Sequence, residues 1–126
     1  MYRIGKRFGF EAAHHLPDLP DGHKCARPHG HSYTVEISVA TDCDLAPPGF
    51  VVDFAALTPL GTFLKETFDH RDLNEVVSVA PTSENLARLL YEWCAANLHL
   101  PAGVTVAAVQ VRETTSTFAE YAPARP

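Results

Sequence analysis

The chain has 126 residues, 46% of them hydrophobic and 20% charged, with a formal net charge of -5. That length suits one compact domain, expected to span residues 1–126, and that balance excludes a disordered, tail-like polypeptide. No run approaches the roughly 18 uncharged apolar residues of a membrane helix, and residues 1–7 lack the apolar core of a signal peptide, so a cytoplasmic protein without a membrane partner is expected. The acidic balance argues against a dedicated nucleic-acid binder. It leaves room for an anionic small substrate, because a few local Lys and Arg residues can reverse the field inside a pocket.

Ile4, Phe8 and Phe10 fall at even positions between glycines and polar residues, which predicts a half-buried strand over 2–13. Residues 15–30 are rich in Pro, Gly, Asp and His and read as a long loop. Over 31–41 the alternation of Tyr33, Val35, Ile37 and Val39 predicts a second strand. Pro47 and Pro48 mark a turn before a short strand at 50–52. Asp53 is a suitable N-cap for a helix carrying Leu57, Leu60, Phe63, Leu64 and Phe68, with Pro59 shifting or bending its start. A second helix begins near Thr82 and Ser83, with Leu86, Leu89, Leu90, Trp93, Cys94 and Leu98 as its apolar stripe. Val104, Val106, Val109 and Val111 supply another strand, and residues 118–121 a last short one. Segregated elements of this kind predict an α+β fold, an antiparallel four-stranded sheet with two helices on one face. Such a sheet leaves two edges to be covered, and homo-oligomerisation through them is expected.

Three cysteines, Cys25, Cys43 and Cys94, are an odd number without an export signal, so no disulfide framework is expected. Six of the seven histidines lie in the first 70 residues. In the extended run His29-Gly30-His31 both imidazoles face one way and can reach one ion. His14, ending the first strand, would join them if the two strands form a hairpin. Three imidazoles with an open fourth position are the usual make-up of a catalytic zinc site. With Cys25 as a fourth ligand the same residues would close a structural site instead. Cys25 is also readable as a catalytic thiol, since Lys24 and Arg27 favour its thiolate, or as a small buried hydrophobe. Asp69 beside His70 can orient the ring and raise its basicity, or the histidine can simply match the helix dipole. Glu113 ends a strand. If buried near a pocket, its two oxygens suit a guanidine-like edge bearing two N–H donors. Thr82 and Ser83 are accounted for as helix caps.

These pieces occur in one order: Phe10-Glu11-Ala12-Ala13-His14, then Gly22-His23-Lys24-Cys25-Ala26-Arg27-Pro28-His29-Gly30-His31, Val52-Asp53-Phe54, Asp69-His70-Arg71-Asp72-Leu73-Asn74, Pro81-Thr82-Ser83-Glu84-Asn85 and Arg112-Glu113-Thr114. The pattern resembles the 6-pyruvoyltetrahydropterin synthase family along nearly the whole chain. The resemblance implies a tunnelling (T-fold) domain, with sheets joined into an oligomeric barrel, commonly a homohexamer, and sites between protomers. It implies Zn2+ on His14, His29 and His31, Cys25 as catalytic thiol and proton acceptor, and Asp69 with His70 as its partner dyad. Glu113, helped by Thr82 and Ser83, would grip the pterin edge of 7,8-dihydroneopterin triphosphate. Apart from the resemblance, the charges of Lys24 and Arg27 beside Cys25 suit part of the triphosphate environment. The implied activity is that of a lyase. The Cys25-Ala26-Arg27-Pro28-His29 loop and the short scaffold look more like the bacterial 6-carboxytetrahydropterin branch, which serves queuosine and other 7-deazapurine biosynthesis, than the 6-pyruvoyl branch. A zinc- and pterin-binding protein without turnover is the alternative outside enzymes.

Overall fold

Two long alternating segments make the frame of the computed structural model, which describes residues 1–124; positions 125 and 126 of the expected domain lie outside the described residues. β1 (Tyr2–His14) and β2 (His29–Thr41) pair antiparallel over their whole length, from Tyr2 opposite Thr41 to His14 opposite His29. The alternation of β1 puts Phe10, Ala12 and His14 on its buried face, and that of β2 puts Tyr33, Val35, Ile37 and Val39 on the same side.

After β2 the chain bends through residues 50–52. The short strand expected there does not form; Val51 packs into the core, and Asp53 turns the backbone by accepting from the Ala55 N–H at 2.8 Å. A single 3-10 turn, Phe54–Leu57, precedes α1 (Thr58–Thr67), which places Pro59 in the first helical turn, where its missing N–H costs nothing. Gly61 allows α1 to lie directly on β1, because a Cβ at that position would stand 2.6 Å from the Phe8 ring. β3 (Arg71–Asp72) and the one-turn α2 (Leu73–Val76) follow, and then α3 (Ser83–Asn97), β4 (Val104–Arg112) and β5 (Ala119–Tyr121).

The sheet has five strands in the order β3-β1-β2-β4-β5 and is mixed, which corrects the expected four-stranded antiparallel sheet. The added strand, β3, pairs parallel to β1 through Ala12 and Ala13 alone. Two polar residues carry no alternation, so only the tertiary pairing makes them a strand. β4 also changes phase. Its register against β2 slips between Ser38 and Val39, opposite Ala107, so apolar positions pass from the even Val104 and Val106 to the odd Val109 and Val111.

Leu60 and Leu64 of α1 and Leu86, Ala87, Leu90 and Cys94 of α3 bury themselves against the β1–β2–β4 face, so both main helices lie on one side as expected. Phe63 and Trp93 stack at 4.3 Å between the two helices. The outer edge of β1 is paired only at Ala12 and Ala13, and that of β4 only at residues 109–111. Among the described residues no helix is long and apolar enough to cross a membrane.

Candidate metal centre and its surroundings

The hairpin register decides the first step of the site. His14 lies opposite His29, and His31 lies opposite Ala12, two residues from each. The period of two turns all three imidazoles to the helix-covered face at one end of the sheet. His14 is 1% exposed. Its Nδ1 is 2.8 Å from the Pro81 carbonyl, and the Nδ1 of His29 is 2.7 Å from the Arg27 carbonyl. A carbonyl only accepts, so both Nδ1 atoms carry the proton and both Nε2 atoms are left as lone-pair donors. Those two Nε2 atoms face each other at 3.0 Å. Neutral rings in these tautomers cannot bond one another, whereas a cation shared between them satisfies both. One ligand atom from each of His14, His29 and His31 lies within 4.8 Å of the others. Imidazole nitrogens around a tetrahedral zinc stand about 3.3 Å apart, so the donor set and its spacing fit a borderline divalent metal.

Burial lowers the His31 pKa below that of a free imidazole; Glu113 opposes this, and the neighbouring His14 and His29 reinforce it. The neutral, metal-ligating form is thereby favoured. Glu113 follows the last residue of β4, with Oε2 3.6 Å from His31 Nε2 and Oε1 3.9 Å from His14 Nε2. Ser83 Oγ donates to Glu113 Oε1 at 2.9 Å from the first residue of α3. Thr82, the N-cap, accepts from the Asn85 N–H at 3.1 Å and so fixes the helix start that aims Ser83. A cavity of about 490 Å³ opens beside this group, lined by Leu16, Thr82, Ser83, Glu84, Glu113 and Phe118 among others. Its hydroxyls and carboxylates offer hydrogen-bond acceptors to a polar, N–H-rich ligand.

Cys25 stands in a 3-10 turn, Lys24–Ala26, of the 15–28 loop. Its N–H donates to His23 Nδ1 at 3.1 Å, and its carbonyl accepts from the Leu16 N–H at 2.8 Å. The thiol is half-buried and free, and it is not among the ligand atoms that converge with the three histidines. The closed four-ligand alternative thus lacks its fourth ligand. The side chains of Lys24 and Arg27 are exposed and form no ion pair among the described residues; Arg27 serves the centre only through its carbonyl.

Asp69 and His70 follow α1 and are fastened to β1. Asp69 Oδ1 accepts from the Glu11 N–H at 2.9 Å, and its Oδ2 lies 3.0 Å from His70 Nδ1. The His70 N–H donates to the Glu11 carbonyl and holds the residue at φ 60°, in the left-handed region. The Glu11 N–H, and after it the bond to His70, holds the Asp69 carboxyl below its usual range. His70 is 78% exposed on its side chain. It nevertheless borders a cavity of about 520 Å³ whose wall also includes His31.

The two carbonyl locks, at Pro81 and Arg27, went unforeseen, because backbone groups leave no residue-type signal. So did the bond from Ser83 to Glu113, which joins residues 30 apart. Asn74, given no role beyond its place in the Asp69–Asn74 motif, clamps the end of β1, with Oδ1 accepting from the His15 N–H at 2.9 Å and Nδ2 donating to the His15 carbonyl at 3.0 Å.

Fold and site together define a class: an α+β domain with a strand-borne three-histidine centre next to a carboxylate. The family model described as 6-pyruvoyl tetrahydropterin synthase matches residues 3–124, and the chain belongs to that family. It is 37% identical, over 96% of its length and 93% of the relative's, to the 6-carboxy-5,6,7,8-tetrahydropterin synthase of Synechocystis sp.. Similarity to the Bacillus subtilis protein of the same name is 35%, over 97% of the chain and 86% of the relative. Among solved structures, the 6-pyruvoyl tetrahydropterin synthase of Caenorhabditis elegans superposes with a TM-score of 0.80 at 26% identity, over 98% of this chain and 96% of that one.

Proposed function

We propose that this chain is a zinc-dependent lyase of one T-fold domain. It converts 7,8-dihydroneopterin triphosphate and one water to 6-carboxy-5,6,7,8-tetrahydropterin, releasing triphosphate and acetaldehyde. The observation that carries this reading is the pair of carbonyl-locked imidazoles whose Nε2 lone pairs face each other at 3.0 Å beside His31, in a chain 37% identical to a 6-carboxy-5,6,7,8-tetrahydropterin synthase.

His14, His29 and His31 would hold the zinc, which polarises substrate oxygens and makes the neighbouring C–H more acidic. Glu113, oriented by Ser83 and flanked by Thr82, accepts the paired N–H groups of the pterin edge. Cys25, as thiolate, takes a proton from substrate carbon. The Asp69–His70 pair moves a second proton, Asp69 keeping the ring oriented through Nδ1 so that Nε2 is the exchanging atom. Lys24 and Arg27, free of internal ion pairs among the described residues, offset part of the triphosphate charge. The outer edges of β1 and β4, largely unpaired among the described residues, are suited to sheet extension between copies, and a homohexamer that sets Asp69 and His70 of one protomer beside the centre of the next follows from this reading. The protein acts in the cytoplasm on a small substrate, as a step toward queuosine or another 7-deazapurine.

The test is mass spectrometry of the products formed from 7,8-dihydroneopterin triphosphate, with and without a zinc chelator. Chelator-sensitive 6-carboxytetrahydropterin and acetaldehyde are expected. A 6-pyruvoyl product would move the chain to the other branch of the family. No turnover by zinc-loaded protein would leave a binding protein.

A further inference from the structure

Two buried side-chain polar atoms lack a hydrogen-bond partner among the described residues: His31 Nε2 and the Tyr33 hydroxyl. They belong to one cluster. Tyr33 follows His31 by two residues on the same face of β2, is 1% exposed, and stacks on Phe10 at 4.8 Å and 5°. Its ring meets those of His31 and His14 edge-on, at 5.5 and 5.9 Å.

The orphaned His31 nitrogen is accounted for by the metal its ring is placed to hold. The hydroxyl has no such account. A phenyl ring would make the same stack on Phe10 and the same edges to the histidines, without burying an unmet O–H. The ring is fixed on both sides, so the hydroxyl cannot swing out to water. Of the acceptors nearby, the Pro81 and Arg27 carbonyls serve the two Nδ1 atoms and Glu113 Oε1 serves Ser83, while Glu113 Oε2, 3.6 Å from His31 Nε2, receives no hydrogen bond from the hydroxyl.

We infer that Tyr33 is a positioning residue whose hydroxyl donates a hydrogen bond to a non-protein oxygen held beside the three imidazoles. This rests on the metal reading above. The oxygen is water in the resting protein and a substrate hydroxyl in the complex, and both present the same acceptor. Partners of this kind tune and retain a metal from behind its ligands.

Tyr33→Phe separates this role from a merely structural one. Zinc affinity is measured by chelator competition on wild type and Tyr33→Phe, with thermal unfolding of both metal-free proteins and the visible spectrum of both cobalt-loaded proteins. Metal-free Tyr33→Phe should be at least as stable as wild type, since it loses only an unmet hydroxyl. Its zinc affinity should fall about tenfold or more, and its cobalt bands should shift, whereas affinity within about twofold of wild type with an unchanged spectrum overturns the inference. A metal-free variant less stable than wild type also overturns it, because the hydroxyl would then have a protein partner. Wild type that binds no zinc would refute the metal reading itself, a different failure with a different signature.

Discussion

His14 and the Asp69–His70 pair are both held by β1, three residues apart, and are held in opposite ways. His14 is buried, its ring is fixed by the Pro81 carbonyl ahead of α3, and its other neighbours come from β2 and the end of β4. His70 is 78% exposed on its side chain, donates its N–H to the Glu11 carbonyl while Asp69 Oδ1 accepts from the Glu11 N–H, and has a left-handed backbone. One region is a finished cage with nitrogens aimed inward. The other is an oriented Asp–His pair at an open rim. A set of metal ligands tolerates little movement, which paired strands supply, whereas a proton-transfer role for the Asp–His pair would need the access that a turn gives.

The harshest way to break the first region is His31→Ala. Bound zinc, measured by metal analysis, and turnover should disappear together, and a zinc-replete variant would remove His31 from the ligands. Cys25→Ala should leave zinc in place and lower kcat by roughly 10²–10⁴-fold, the usual worth of a positioned acid or base. Full activity in that variant would return Cys25 to the role of loop filler. Leu90→Ala opens a void under α3, whose first residue aims Ser83 at Glu113, and should cost about 2–5 kcal/mol in denaturant unfolding.

The pH response sharpens the contrast further. In the metal-free protein the His31 pKa lies below its ordinary 6.5. As pH falls through that range the unfolded chain takes the proton first, so the stability His31 contributes is present above pH 6.5 and lost below it. Denaturant titrations of metal-free protein at pH 8 and pH 5 should show this loss, and His31→Gln should reduce it. Asp69, also depressed, acts lower: its contribution is present above its ordinary 3.8 and lost as pH falls beneath that value. Asp69→Asn should therefore differ from wild type at pH 6 and approach it as pH falls well below 3.8. The smallest effect expected is chemical. Burial pushes the Cys94 thiol up to about 12, so iodoacetamide at pH 8 should label Cys25 and Cys43 and spare Cys94.

Much of this was legible in the chain. The period of two in residues 31–41 announces β2, the same period turns His29 and His31 to one side, and the hairpin brings in His14. Asp53 and Thr82 cap the turns and helices where such residues should. The phase change in β4 is also written in its valines, at 104 and 106 and then at 109 and 111, although only the bulge opposite Ala107 explains it. The misread pieces are short. Residues 50–52 look like a strand but find no partner strand, while Arg71 and Asp72, which the pattern assigns to no element, become one beside Ala12 and Ala13.

Local pattern, then, determined which residues carry chemistry, which faces of strands and helices they occupy, and which family they resemble, because periodicity and capping act over a few residues. Tertiary structure decided what surrounds them. It set the Pro81 carbonyl that chooses the His14 tautomer, the serine that holds Glu113, the absence of Cys25 from the histidine group and the isolation of the Tyr33 hydroxyl. Those are contacts between distant segments, and they exist only once hydrophobic burial has brought β1, β2, β4 and α3 to one end of the sheet.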